Sequence, residues 1–239
     1  MKRVKMMLII LSGTLCIYSQ NQIVYPAKGT DLPSLNAVAS LSGLTTAVGF
    51  DTRYQGVKGT TRLFDTLMAS SLLIRGEDQY IGLESDIDVV RNALLFVKSS
   101  SGELMEILSD HITELIVHKE GEDLVYRTTS GISFEKNIPE NKFYQVLKEG
   151  PYQFIKIPEK EFVEADYKRV YSPDRRYDEY KPVNKYYIEG SDRIFHRVQL
   201  TKKSLVKMFP EKKELIERGL EDKSKDNAEI AVISILEQF

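Results

Sequence analysis

The chain has 239 residues, 42% of them hydrophobic, enough for one sizeable core or two small ones and too many for global disorder. Its formal net charge of −2 lacks the basic excess of a dedicated nucleic-acid binder, so nucleic acid is not expected as a partner. Beyond the N-terminus no stretch approaches the roughly 20 apolar residues needed for a spanning helix, so the remainder of the chain is expected to carry no transmembrane span.

Lys2, Arg3 and Lys5 precede an apolar run from Met6 to Ile17, and small Ser19 follows. This is the build of a secretory signal peptide over residues 1–19, which predicts export to the periplasm or the extracellular space, with association with the outer membrane as an alternative. Removing it takes away three basic residues and no acidic one, so 30 basic against 35 acidic residues leave a mature charge of −5. Cys16, the one cysteine, falls inside the apolar run, and Leu15 before it is not the small residue a lipidated cysteine follows. A mature chain without cysteine has no disulfide and must rest on an ordinary core.

Residues 20–56 are rich in Ser, Thr, Ala and Gly and read as a flexible lead segment that contributes at most one edge strand. From Thr61 the pattern changes to short apolar runs. RLFDTLMASSLLI reads as one buried strand or two. IGLESDIDV alternates, with Ile81, Leu83, Ser85, Ile87 and Val89 on one face and Gly82, Glu84, Asp86 and Asp88 on the other, solvent-facing one. NALLFVK, ELMEILS, HITELIV, DLVYRTT, FYQVLK and YQFIKI follow. Ser101–Gly102, Glu120–Gly121, Glu149–Gly150 and Glu189–Gly190 supply hairpin turns between strands. KYYIEGSDRIFHRVQL reads as one more hairpin.

The C-terminus turns helical. Thr201 is a natural N-cap for KKSLVKMF, and Pro210 suits the first turn of a second helix with Leu215, Ile216 and Leu220 as its apolar stripe. Asp226 or Asn227 opens a last helix carrying Ile230, Ile233 and Leu236. The fold expected is therefore α+β and mainly β: an antiparallel meander sheet or open barrel over residues 57–200, with C-terminal helices over 201–239 packed on it. No glycine-rich strand-to-helix loop occurs, so neither a dinucleotide fold nor a P-loop is supported, and no cofactor is expected.

Several stretches resemble a broad group of uncharacterised secreted proteins of Bacteroidota. These are Ser19–Gln20 at the signal boundary, ESDIDVVRNALLFVK (84–98), FYQVLKEG (143–150) and KYYIEGSDRIFHRVQLTKKSLVKMFPEKKELIERG (185–219), the last being the most specific. The resemblance implies a β-sheet with C-terminal helices and an envelope location; it supplies no catalytic residues.

Two constellations are candidates for function. Glu84, Asp86 and Asp88, at two-residue spacing in a strand, project from one face about 6.6 Å apart, a separation suited to paired carboxylates or to a hard cation such as calcium. The polar side of a half-exposed strand predicts the same residues. Residues 167–187 interleave tyrosines with basic side chains, and Tyr171, Arg175, Arg176, Tyr177 and Tyr180 form a candidate binding set for a glycan or peptide. Pro173 and Pro182 mark this stretch as a connector, and Asp174, Asp178 and Glu179 dilute its charge. His111, His118 and His196 lack metal-ligand spacing, and Asp110–His111 lies near no nucleophile elbow. No catalytic residue is assigned. The leading expectation is a non-catalytic envelope protein that binds or scaffolds another envelope component, protein or glycan. An envelope hydrolase using the carboxylate row, with or without a cation, and a glycan- or peptide-binding module using the tyrosine-rich loop 167–182 are the alternatives.

Overall fold

The computed structural model describes residues 45–47, 57–64, 66–75, 79–98, 102–165, 177–220 and 227–239. Among the described residues eleven strands form one sheet, every neighbouring pair antiparallel. In chain order they are β1 (Thr45–Ala47), β2 (Met68–Ile74), β3 (Gln79–Asp88), β4 (Ala93–Lys98), β5 (Glu103–Leu108), β6 (Ile112–Lys119), β7 (Glu122–Thr128), β8 (Phe143–Lys148), β9 (Phe154–Val163), β10 (Glu179–Glu189) and β11 (Phe195–Val198). Their spatial order is β1-β5-β4-β3-β2-β6-β7-β8-β9-β10-β11. Helices α1 (Lys202–Met208), α2 (Lys213–Gly219) and α3 (Ala228–Leu236) follow, with a 3₁₀ turn at Pro210–Lys212. The lead segment thus supplies one edge strand, β1.

The strand order forces the first half to curl. β5 and β6 are separated in sequence only by the 3₁₀ turn Ser109–His111, yet β4, β3 and β2 lie between them. In a flat sheet four strand spacings would put them about 19 Å apart, further than the roughly 15 Å that the steps from Leu108 to Ile112 reach. β5 and β6 are therefore two halves of one bent run, and β2–β4 wrap between them. The turn is pinned to both sides of the wrap: the Ser109 amide donates to the Asn92 carbonyl (3.1 Å), and the Arg75 amide donates to the His111 carbonyl (2.9 Å). The residues pointing inward from all five strands form a single core, including Leu72, Leu83, Phe96, Ile107 and Leu115, each fully buried.

β7–β11 continue as a flatter arm whose two faces are covered differently. On one, the helix face, Phe154, Ile188 and Val198 pack beneath Leu205, Phe209, Ile216 and Val232 of the C-terminal segment. Tyr152, Phe209 and Phe239 lock that layer through ring contacts with centroids 4.9–5.7 Å apart. On the other, the loop face, Ile155, Ile157, Tyr187 and Phe195 lie under Ile132, Phe134 and Ile138 of the 129–142 connection. Alternation along β9 and β10 sorts these residues, because adjacent side chains on a strand point to opposite faces.

Local chemistry explains the boundaries. Glu120 and Gly121 both have positive φ (52° and 89°), which a two-residue hairpin turn between right-twisted strands requires. The Thr201 hydroxyl accepts the Ser204 amide and caps α1 as its sequence position predicts. Pro210 opens a 3₁₀ turn rather than α2 itself. In α3 the buried positions are Ala228, Ala231, Val232, Ile235 and Leu236, whereas Ile230, expected on the apolar stripe, is 61% exposed. The helix is apolar nearly all round, so the sheet's position, not the stripe, selects the buried side.

Residues 57–64 are a strap between the two halves. At one end the Lys58 amide donates to the Asp178 carbonyl and the Tyr180 amide to the Lys58 carbonyl (2.8 and 2.9 Å). At the other the Leu63 amide donates to the Ile87 carbonyl and the Val89 amide to the Thr61 carbonyl (2.8 and 3.1 Å). Gly59 allows this path: its φ is +82°, and a Cβ there would lie 2.8 Å from the Tyr180 carbonyl oxygen.

Candidate binding face

The carboxylate row does not face solvent as a unit. Glu84 is exposed, but Asp86 and Asp88 are buried, at 0% and 4% exposure, because the strap covers them. One Asp86 oxygen accepts the Phe64 and Ile87 amides (3.0 and 2.7 Å), and the other accepts Arg62 Nε (3.0 Å). Burial pushes the Asp86 carboxyl up, against the pull of the Phe64, Arg62 and Ile87 donors. Asp88 accepts the Thr61 hydroxyl (2.9 Å) and, through its other oxygen, the Val90 and Arg91 amides (3.0 and 2.8 Å). The last two bonds build the turn from β3 to β4, in which Asn92 takes φ +60°. Both aspartates are thus anchors for the strap and the turn, a correction to their expected solvent-facing position. Among the described residues no group of three His, Cys, Asp or Glu side chains is placed to hold a metal ion.

The histidines separate. His111 sits in the 3₁₀ turn with Nε2 3.5 Å from Asp110, so it does not share a strand with His118. His118 on β6 joins a chain that sequence spacing does not reveal: Nε2 lies 3.1 Å from the Ser71 hydroxyl and Nδ1 2.7 Å from Asp123. The order of groups is that of a nucleophile, a base and an orienting carboxylate. Ser71, however, is 3% exposed in mid-strand, paired on both sides with β3 and β6. The chain ties β2, β6 and β7 together. Only the register of three strands brings it about, since Ser71 and His118 are 47 residues apart.

Of the tyrosine-rich set, Tyr171, Arg175 and Arg176 lie outside the described residues. Tyr177 is 65% exposed at the far end of the arm. Tyr180 faces Phe162 across the β9–β10 ladder, with ring centroids 5.0 Å apart, and Phe162 is itself 45% exposed. Sequence reasoning missed Phe162, because only the pairing register brings it beside Tyr180.

These aromatic rings stand on the helix face, and a groove occupies the same face between them and α3. Its volume is about 690 Å³, and Phe64, Tyr126, Gln145, Pro158, Asn184 and Ile230 are among the residues around it. Gln145 and Lys156 are cross-strand neighbours on its floor, and Tyr186 lies opposite Lys156 on β10. Glu229 of α3 closes one end, accepting the Tyr186 hydroxyl (2.5 Å) and Lys156 Nζ (3.2 Å). Burial, followed by the bond to Glu229, pushes the Tyr186 hydroxyl well up, so it remains a donor. The β6–β7 hairpin adds Glu120, Glu122 and Asp123 to the rim. From Lys156 to Phe162 the same face of β9 runs about 20 Å. Among the described residues no helix is long and apolar enough to cross a membrane. Comparison with protein-family models, with curated proteins and with solved structures yields no match.

Proposed function

We propose that this chain is an exported envelope protein that acts by binding, and that it holds an extended segment of another envelope component along the helix face. One observation carries the reading: the groove between α3 and the strap reaches Pro158 and Pro182, and the exposed Phe162–Tyr180 pair stands further along the same face of β9 and β10. Its lining mixes aliphatic and aromatic surface with amide and hydroxyl groups, which is how binding sites combine apolar contact with orientation. Ile230 at one end, and Phe162 beside Tyr180 at the other, add exposed apolar surface to this face. The residues of the N-terminal signal support export.

A photo-crosslinking residue placed at Ile230 and, separately, at Phe162 tests this in the native envelope. Both positions are expected to give the same adduct, and Val90, exposed in the turn between β3 and β4, is expected to give none. Different adducts from the two ends, or an equal yield from Val90, would sink the reading. A second reading, a glycan module confined to the arm tip, is favoured by the exposed rings alone. It requires that purified envelope polysaccharide retain the protein, that Phe162→Ala and Tyr180→Ala abolish retention, and that Ile230→Asp leave it intact.

A further inference from the structure

The loop face carries a second concavity, of about 240 Å³, between the 129–142 connection and strands β9–β11. Its charge runs against that of the chain. Lys136, Lys142, Lys185 and Arg197 stand against Glu135 and Glu159, four positive groups to two negative, in a protein whose net charge is −2. Glu159 holds two of the cations side by side, accepting Lys142 Nζ at 2.6 Å and Lys185 Nζ on its other oxygen. Each ammonium has three N–H donors and spends one on this contact, so both keep donors for a further acceptor. Burial opposes ionisation of Glu159, but the two lysine bonds outweigh it and hold its carboxyl below the ordinary range.

Arg197 follows from strand register. It lies directly opposite Tyr187 in the β10–β11 ladder, which places its guanidinium on the same face as the buried ring. Neither Arg197 nor Lys136 makes an ion pair among the described residues. A guanidinium fork beside two fixed ammonium groups matches a tetrahedral oxyanion, whose oxygens accept from several directions at once. We infer that this concavity is a binding site for a phosphate group carried by a small ligand or by a lipid headgroup. Its place on the opposite side of the sheet from the groove makes it independent of the proposed function.

Isothermal titration of the full mature chain at low ionic strength, with glycerol 3-phosphate as probe and chloride as competitor, tests the site. Saturable one-site binding is expected, weakened at least about ten-fold by Arg197→Gln and Lys136→Gln, each removing charge-assisted bonds. Arg197→Lys, which keeps the charge and loses the fork, is expected to fall between wild type and Arg197→Gln. Lys213→Gln on α2, away from the concavity, is expected to bind as wild type does. Melting temperatures of all four variants guard against loss of fold; neither Arg197 nor Lys136 is buried. Vesicles containing phosphatidic acid form a separate arm: flotation with them without affinity for glycerol 3-phosphate assigns the phosphate to a headgroup. The inference is overturned if neither probe binds, if chloride at equal concentration displaces the probe, or if Lys213→Gln weakens binding as much as Arg197→Gln.

Discussion

The two halves of the sheet bury their side chains by different means. In the curled half, the inward residues of β2–β6 meet mainly one another in one core, to which Tyr126 and Phe143 of β7 and β8 and Leu63 and Phe64 of the strap are added. In the arm, β7–β11 cannot cover themselves, and each face borrows a layer: helices on one side, the 129–142 connection on the other. A curled sheet meets most of its packing partners within its own wrap, whereas a flat sheet remains a two-sided surface wherever its borrowed layer stops. Both concavities lie on the arm for that reason. The groove opens beyond the end of α3, and the basic concavity opens beside the 129–142 connection.

This contrast can be broken most severely in the curled half. Phe96→Ala removes a fully buried ring from the middle of the wrap and is expected to cost about 4 kcal/mol. A calorimetric scan should show the main transition shift as a whole, with no part of β2–β6 melting separately. Next in size, Asp86→Ala strips the acceptors from Arg62 and from the Phe64 amide and is expected to cost about 3 kcal/mol, measured by urea titration. Because that loss frees the strap, amide exchange at Leu63 and Phe64 should rise with it. If Asp86 were instead an exposed member of a cation site, added calcium would stabilise the wild type and not the variant.

A smaller effect tests the borrowed layer. Gly219 packs against α3 so closely that a Cβ there would lie 2.5 and 2.7 Å from the Ile235 side chain. Gly219→Ala is expected to cost about 2 kcal/mol through overpacking. Hydrogen exchange should show protection lost in α2 and α3 while β2–β6 keep theirs; equal loss in both halves would show that they are not separable. The smallest expected effect concerns pH. Glu159 has its carboxyl held below the ordinary 4.5, so the folded chain releases this proton more readily than the unfolded chain does. Its contribution is therefore present above pH 4.5 and is lost as pH falls through the lowered value. Glu159→Gln should lower stability by about 1 kcal/mol at neutral pH, and the gap to wild type should shrink on acidification.

Much of this architecture was legible in local patterns, and the exceptions have particular causes. Alternation placed Leu83, Ser85, Ile87 and Val89 on one buried face, and the structure agrees. The same alternation put Asp86 and Asp88 in solvent, because a period of two sorts a strand's faces without saying what covers each of them. Residues 57–64, whose own pattern is weak, supply that cover. Ile230 failed in the reverse sense: an almost wholly apolar helix has no stripe to read, and the groove left one apolar residue uncovered. The aromatic pair was half visible, since Tyr180 sits in a conspicuous tyrosine-rich stretch and Phe162, 18 positions earlier, does not.

The amino-acid sequence by itself determined the hairpin turns at Glu120–Gly121 and Glu189–Gly190, the cap at Thr201, and the succession of short strands followed by helices. These depend on backbone preferences and side-chain periods within a few residues, which any reader of the chain can apply. Tertiary structure alone decided that β5 and β6 are one bent run, that the strap turns two carboxylates into anchors, and that Phe162 meets Tyr180. It likewise decided that Arg197 stands beside Lys185. Each of those juxtapositions joins segments through strand register, and register is set by how the whole sheet buries its faces rather than by any stretch of sequence alone.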